Sequence, residues 1–208
     1  KMSKPTREIE KILYESGYKC VAGVDEAGRG PLAGPVIAAA VSVPHNFSGF
    51  EDKTIVIKDS KKLGKKALAK AYDAILKHPQ LKSAWHACNS SRIDEINILQ
   101  ATMEAMTRSV EKLAVRPDYV LVDGNRAPPI KKAKIETVVK GDDKVFAIAC
   151  ASIIAKVTRD RLMVEYDEKW PEYGFAKHKG YGTLKHRNAI EKYGACSIHR
   201  MTFKPLKK

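Results

Sequence analysis

Apolar and polar positions alternate in short blocks along the 208-residue chain, and each block predicts an element. Residues 6–17 carry a helical pattern that Gly17 closes. Cys20 to Asp25 and Pro35 to Val43 are apolar runs of strand length, close enough to pair antiparallel with a polar loop between them. Asp59-Ser60-Lys61-Lys62-Leu63-Gly64 opens an amphipathic helix that runs to about Lys77 and stops before Pro79. Ala84 to Ser90 reads as a third strand. Ser91, with Asp94 three residues on, then predicts the cap of a long helix on which Leu99, Met103, Met106, Val110 and Leu113 form a core-facing stripe. Arg116-Pro117 ends that helix. Asp118 to Val122 and Ile135 to Val139 read as the fourth and fifth strands. Ala149 to about Lys169 reads as a helix with Ile153, Ile154, Val157 and Val164 toward the core and Lys156, Arg159 and Arg161 elsewhere. Strands alternating with helices after Ala84 indicate an α/β domain whose later strands are parallel.

Acids at the ends of these strands change the picture. The first strand runs into Asp25-Glu26-Ala27-Gly28-Arg29-Gly30, the fourth into Asp123, and the fifth into Asp142 and Asp143. Unpaired charge beside a packed core is strongly disfavoured, so such carboxylates call for a counterion or a metal. Neighbouring strand residues point to opposite faces, so Asp25 and Glu26 are expected to share a site only if the strand ends there and turns at Gly28 and Gly30. Strand ends on one edge of an α/β sheet bring such residues together. Oxygen donors without cysteine or histidine spacing favour Mg²⁺ or Mn²⁺, and no C-x-x-C pair occurs among the four cysteines.

Charge narrows the partner. A formal net charge of +14 attracts polyanions, nucleic acid first. From Ala176 to Lys208 there are nine Lys or Arg residues, three His and one acid, Glu191. Tyr181, held between Gly180 and Gly182 among cations, suits stacking on a sugar or base beside a phosphate track. Carboxylate-held divalent metal next to such a surface points to two-metal phosphodiester hydrolysis. With 44% hydrophobic and 30% charged residues the balance is that of a soluble globular protein. No apolar run approaches a membrane span and residues 1–11 lack a signal-peptide core, so the expectation is a cytoplasmic protein without a membrane partner.

Several ordered motifs resemble bacterial ribonuclease HII. They are Val24 to Gly34, Asp59 to Leu63, Ile93 to Leu99, Val122 to Asn125, Lys140-Gly141-Asp142, Ala151 to Asp160, and His178 to Tyr181. The resemblance covers roughly residues 20–205. It implies an α/β ribonuclease H-like fold, a five-stranded mixed sheet flanked by helices, with a C-terminal helical substrate-binding segment. Residues 1–19 would be a leader, 20–172 the catalytic domain and 173–208 the basic C-terminal segment. It implies cleavage of the RNA strand of RNA/DNA hybrids and incision 5′ of single ribonucleotides in duplex DNA, leaving 3′-hydroxyl and 5′-phosphate ends. By the same resemblance Asp25, Glu26, Asp123 and Asp142 bind Mg²⁺ or Mn²⁺, two ions with substrate bound. Gly28, Arg29 and Gly30 contact the ribonucleotide and its 2′-hydroxyl, Ser60, Lys61 and Lys62 join the substrate site, and Tyr181 senses the RNA-to-DNA junction. A monomer is expected. The departure at Cys150, where alanine is usual, is a small buried-type change. A resolvase or transposase core would share the acids but not the Gly-Arg-Gly and Gly-Tyr-Gly elements, and a non-catalytic binding module has no use for gathered acids.

Overall fold

The computed structural model describes residues 4–207, so the first three residues of the expected leader and Lys208 lie outside it. Strands β1 (Val21–Ala27) and β2 (Val36–Ser42) pair antiparallel, with Asp25 opposite Ala39 and Glu26 opposite Ala38. β3 (Lys82–Cys88) adds antiparallel to β2. On the other side β4 (Tyr119–Asp123) runs parallel to β1, and β5 (Lys134–Val138) parallel to β4. The sheet order is β3-β2-β1-β4-β5, the five-stranded mixed sheet expected.

Helices α1 (Glu8–Glu15), α2 (Lys65–Lys77), α3 (Ser90–Glu111), the one-turn α4 (Gly141–Lys144), α5 (Phe146–Lys169), α6 (Phe175–His178) and α7 (Leu184–Tyr193) complete the fold. Because side chains alternate along a strand, each face of the sheet has its own core. Val21, Ile37, Ala39, Val41 and Leu121 pack with α5, while Ala22, Val24, Ala38, Ala40, Val120 and Val122 pack with α3. The approach of α5 to β1 is very close. A Cβ at Gly23 would lie 2.3 Å from the Ala147 carbonyl carbon and the Ile148 nitrogen. Backbone therefore rests on backbone two residues before Asp25. A third cluster, Ala33, Met163, Tyr173, Phe175 and Ala189, joins the C-terminal segment to the end of α5.

Several local expectations are corrected. β3 begins at Lys82, since an edge strand's ladder needs backbone partners and not apolar side chains. α3 is capped by Asn89, whose side chain accepts from the Arg92 amide at 2.8 Å, and not by Ser91. Asp94 instead accepts from the Met201 and Thr202 amides. Asn97 interrupts α3 with φ of 66°, which rotates the helix so that Ala101, Ala105, Met106 and Val110 are buried and Leu99 and Met103 are only half-buried. α5 starts at Phe146, its Ala147 amide held by the buried Glu10 carboxylate at 2.9 Å, a contact that local sequence does not reveal. Val164 is exposed and Arg159 is buried, the reverse of the expected helix faces.

Candidate active site

β1 and β4 pair only as far as Val24 opposite Val122. Beyond that point the two strands part at the edge of the sheet, and Asp25, Glu26 and Asp123 sit at the parting. Contrary to expectation β1 does not end at Asp25; its ladder with β2 continues to Ala27. The two acids thus start from opposite faces and meet around an open edge. Asp25 is buried, and its pKa is raised well above the usual carboxylate range by burial and by the charges of Glu26 and Asp123, partly offset by hydrogen bonds from Ser152 and the Glu26 amide. The pKa of Glu26 is raised by burial and by Asp123 against the pull of Arg29, whose Nη1 lies 3.5 Å from its Oε1.

Asp142 follows β5 on α4. The Gly141 amide donates to Asp123 Oδ1 at 2.6 Å, which ties α4 to the end of β4. The Asp142 pKa is raised by burial and by Asp123 and Asp59, with Lys61 opposing. Its neighbour Asp143 is committed elsewhere, accepting two bonds from Lys62 Nζ at 2.5 and 2.7 Å.

A cleft of about 300 Å³ opens beside Asp25 and Glu26. Gly28, Arg29 and Gly30 line one side, and Ser60, Lys61 and Tyr181 are also on its wall. Glu26 and Arg29 also line an adjoining cavity of about 130 Å³ that reaches Asp123, with Met103 and Met106, both packed in the core beneath, on its wall. Larger cavities of about 520 and 580 Å³ lie along α3 and its C-terminal loop, away from these acids. Asp59 caps the short turn Ser60–Lys62 by accepting from the Lys61 amide at 2.9 Å. Ser60 is buried and meets Ser152 at 3.0 Å. Lys61 is held protonated by Asp59, Asp142, Asp25 and Asp123 against the effect of its burial. Tyr181 stays 49% exposed, so its ring is not part of the core. Lys62 turns away to Asp143; the other expected residues, apart from Asp142, line one or other of the two cavities.

Two buried arginines shape the cleft, and sequence reasoning assigned neither a place in it. Arg159 donates from Nε to Pro35 O (2.9 Å), from Nη1 to Lys179 O (2.9 Å) and from Nη2 to Ala33 O (3.1 Å). Arg200 donates from Nη1 to Arg29 O (2.9 Å), from Nη2 to Gly28 O (2.6 Å), and from Nε and Nη2 to Gly34 O (3.0 and 2.8 Å). Among the described residues neither has a carboxylate partner. Burial lowers the Arg159 pKa to about 10 and the Arg200 pKa to about 9, so both stay charged at neutral pH. Gly28 has φ of +93°, and a Cβ there would strike Arg159 Nε at 2.0 Å. In a trans peptide the N–H points opposite the C=O. With the Gly28 and Arg29 carbonyls turned to Arg200, the Arg29 and Gly30 amides face the other way, and among the described residues neither has an intramolecular partner. The loop thus presents two free donors. Ser152 and Lys156 also line the cleft; their spacing of four on α5, with Arg159 three further, was the available signal.

Among the described residues the ligand atoms of His86, Cys88 and Glu104 lie within 4.8 Å of one another. Cations already occupy that trio: Arg92 holds Glu104 Oε2 at 2.7 Å and Lys112 Nζ lies 3.0 Å from His86 Nδ1. The strand-end acids do not form so tight a group. No helix among the described residues is long and apolar enough to cross a membrane.

The chain matches the ribonuclease HII family over residues 22–206. It is 49% identical over 196 residues to ribonuclease HII of Syntrophus aciditrophicus (strain SB), covering 94% of this chain and 89% of that protein. It is 50% identical over 209 residues to ribonuclease HII of Vibrio vulnificus (strain YJ016), covering 99% and 96%. In structure it resembles ribonuclease H2 of Pyrococcus horikoshii OT3, with TM-score 0.72, 27% identity and coverage of 90% and 95%. It also resembles a chain of the PCNA:RNase HII complex of Archaeoglobus fulgidus, with TM-score 0.73, 26% identity and coverage of 91% and 97%. Near-complete coverage in sequence and in structure leaves one assignment: the chain belongs to the ribonuclease HII family, and is a ribonuclease H endonuclease.

Proposed function

We propose that this ribonuclease cuts the RNA strand of RNA/DNA hybrids and incises duplex DNA on the 5′ side of a single ribonucleotide, with Asp25, Glu26, Asp123 and Asp142 holding two Mg²⁺ or Mn²⁺ ions. The observation that carries the reading is the parting of β1 and β4, which sets Asp25 and Glu26 beside a cleft that also offers free amides and cations, with Asp123 on the adjoining cavity that Glu26 and Arg29 share. The donor set fits hard divalent ions: it is all oxygen, and the charge of Asp123 raises the pKa values of Asp25, Glu26 and Asp142, a repulsion that bound cations relieve. Once bound, such ions supply an activated water and stabilise the departing 3′-oxygen.

The chain's own groups do the rest. The Arg29 and Gly30 amides, turned outward by Arg200, are donors suited to a 2′-hydroxyl or an adjacent phosphate oxygen, and no side chain at Gly30 blocks approach. Lys61 and Lys156 supply positive charge for the backbone of the cut strand. Tyr181 stands across from Gly30, where a Cβ would lie 3.7 Å from its Cε1. A ring there stacks on the neighbouring sugar, and a deoxyribose avoids crowding it. We place the enzyme in the cytoplasm, acting as a monomer.

The test is cleavage of end-labelled duplex DNA carrying one ribonucleotide, beside all-DNA and hybrid controls, with and without EDTA. Incision 5′ of the ribonucleotide that EDTA stops is expected, and Asp123→Asn should lose roughly a thousandfold in turnover while still binding the duplex. Cleavage that survives EDTA, or an Asp123→Asn variant as active as the parent, overturns the assignment.

A further inference from the structure

Three histidines of the C-terminal segment form one group, His186 and His199 buried and His178 half-buried. The His178 and His186 rings stack with centroids 4.4 Å apart, and His186 and His199 are 5.2 Å apart. Their contacts determine where every ring proton sits. His186 Nδ1 is 2.9 Å from the Tyr181 carbonyl, which only accepts, so this nitrogen carries the hydrogen. At the other end His199 Nδ1 lies 2.9 Å from the Cys196 amide, 3.1 Å from its thiol and 3.3 Å from its carbonyl; the shortest of these contacts is to a group that only donates, so that nitrogen is bare and the His199 hydrogen is on Nε2. Between them the two Nε2 atoms are 3.0 Å apart, a hydrogen-bond distance that requires one donor and one acceptor. The outer contacts independently supply one of each. The chain therefore runs in one direction, from the Cys196 amide through His199 and His186 to the Tyr181 carbonyl.

His178 obeys the same logic. Its Nε2 donates to the Tyr173 carbonyl at 2.7 Å, and its Nδ1 accepts from the Gly180 amide at 3.2 Å. Backbone groups on both sides of the Tyr181 side chain are thus held by neutral imidazoles. Burial pushes the His186 and His199 pKa values down, in keeping with neutral rings. The ring of Tyr181 itself has no hydrogen-bond partner among the described residues and stands at the cleft.

We propose that His178, His186 and His199 are positioning residues for the ribonuclease reaction: a directed relay of two imidazoles, His199 to His186, with His178 stacked beside it in a set tautomer, holds the Gly180-Tyr181-Gly182 turn so that the Tyr181 ring meets the substrate opposite Gly30. The inference rests on the reading that Tyr181 contacts the substrate. Hydrogen-bond direction makes the relay specific: a group that only fills the same space at His186 leaves the Tyr181 carbonyl with the Thr183 amide (2.8 Å) as its one remaining donor among the described residues, and His199 Nε2–H without its acceptor.

Long-range ¹H–¹⁵N spectra of the intact protein labelled at histidine read the tautomers. His186 is expected with its hydrogen on Nδ1, and His178 and His199 with theirs on Nε2; His186 protonated on Nε2 instead overturns the relay. In cleavage of a duplex with one ribonucleotide, His186→Leu should lower kcat roughly ten- to a hundredfold with little change in KM. His186→Asn, whose side-chain amide replaces the Nδ1 donor, should recover most of that loss. In a Tyr181→Ala background His186→Leu should cost little more, because the two act through one contact. Equal losses for the Leu and Asn variants, or additive losses with Tyr181→Ala, overturn the proposal. A Tyr181→Ala enzyme as active as the parent defeats the substrate reading of Tyr181 itself, whatever the spectra show. An impaired Tyr181→Ala beside a fully active His186→Leu leaves that reading standing and removes the relay.

Discussion

Replacing Arg200 with methionine tests whether the buried guanidinium shapes the substrate-facing loop. The change removes four hydrogen bonds and strips the Gly28, Arg29 and Gly34 carbonyls of their donor. A buried group left unsatisfied costs about 1–3 kcal/mol, so three carbonyls give a gross loss of roughly 3–9 kcal/mol. Against this, the charge of Arg200 no longer has to be buried, a relief of several kcal/mol before relaxation. The net destabilisation expected is about 2–4 kcal/mol, or a melting temperature lower by roughly 4–16 °C for a chain of this size. The catalytic effect should be larger than stability alone requires. The peptide planes that aim the Arg29 and Gly30 amides lose their anchor, and misplacement by about 1 Å lowers turnover by roughly a hundredfold. Arg200→Lys sharpens the test, since it keeps the charge but cannot span the carbonyls of Gly28 and Gly34 with one planar fork. Single-turnover cleavage of a duplex with one ribonucleotide, beside thermal melts, should find the lysine variant folded at assay temperature and nearly as slow as the methionine variant. A lysine enzyme that cleaves at the parental rate, or a methionine enzyme less stable but equally active, refutes the reasoning.

Gly23→Ala pushes a methyl into the Ala147 and Ile148 backbone at 2.3 Å, and should destabilise by about 1–3 kcal/mol and slow cleavage by shifting β1 under Asp25; an unchanged melting temperature with unchanged activity contradicts it. With Arg29, Lys61 and Lys156 each neutralising one phosphate, the slope of log affinity against log salt is about 3 × −0.9, or roughly −2.7, so a fourfold rise in salt weakens duplex binding roughly fortyfold. Affinity that is flat with salt rules this out. Burial drives the His186 pKa from 6.5 to about 4, so the unfolded chain binds a proton that the folded ring refuses. The stability due to the neutral ring is complete above about pH 6.5 and is lost progressively as pH falls toward 4. Tyr173, Phe175, His178 and His199 face this ring and among the described residues no carboxylate contacts it, so melting temperature should fall more steeply toward acid in the parent than in His186→Asn; parallel slopes count against it.

The strands and the strand-end acids were legible because each depends on a local pattern: an apolar run followed by charge. The mixed five-stranded sheet followed from the spacing of those runs and from the resemblance. What stayed hidden depends on distant partners. Arg159 looks like any solvent-facing arginine in a helix, yet it shares a helical face with Ser152 and Met163, both buried, and is solvated by three carbonyls from other segments. Arg200 and the histidine relay are equally silent in sequence, since their partners are mostly backbone groups that carry no residue signature. Asn97 broke a regular stripe because its side chain accepts from the Leu99 and Gln100 amides and restarts the helix. The meeting of Asp25 and Glu26 was expected from a strand end, and comes instead from two strands parting.

The grip of Arg200 on Gly28 joins positions 172 residues apart. During synthesis, β1 through α5 emerge first and can assemble the sheet and its acids while this arginine is still unmade. Closing so long a loop is a late step in a high-contact-order topology. A nascent chain therefore carries its acids before it has the aimed amides that we propose choose a ribonucleotide. On that proposal selectivity matures last, and hydrogen exchange at the Arg29 and Gly30 amides during refolding would time its arrival.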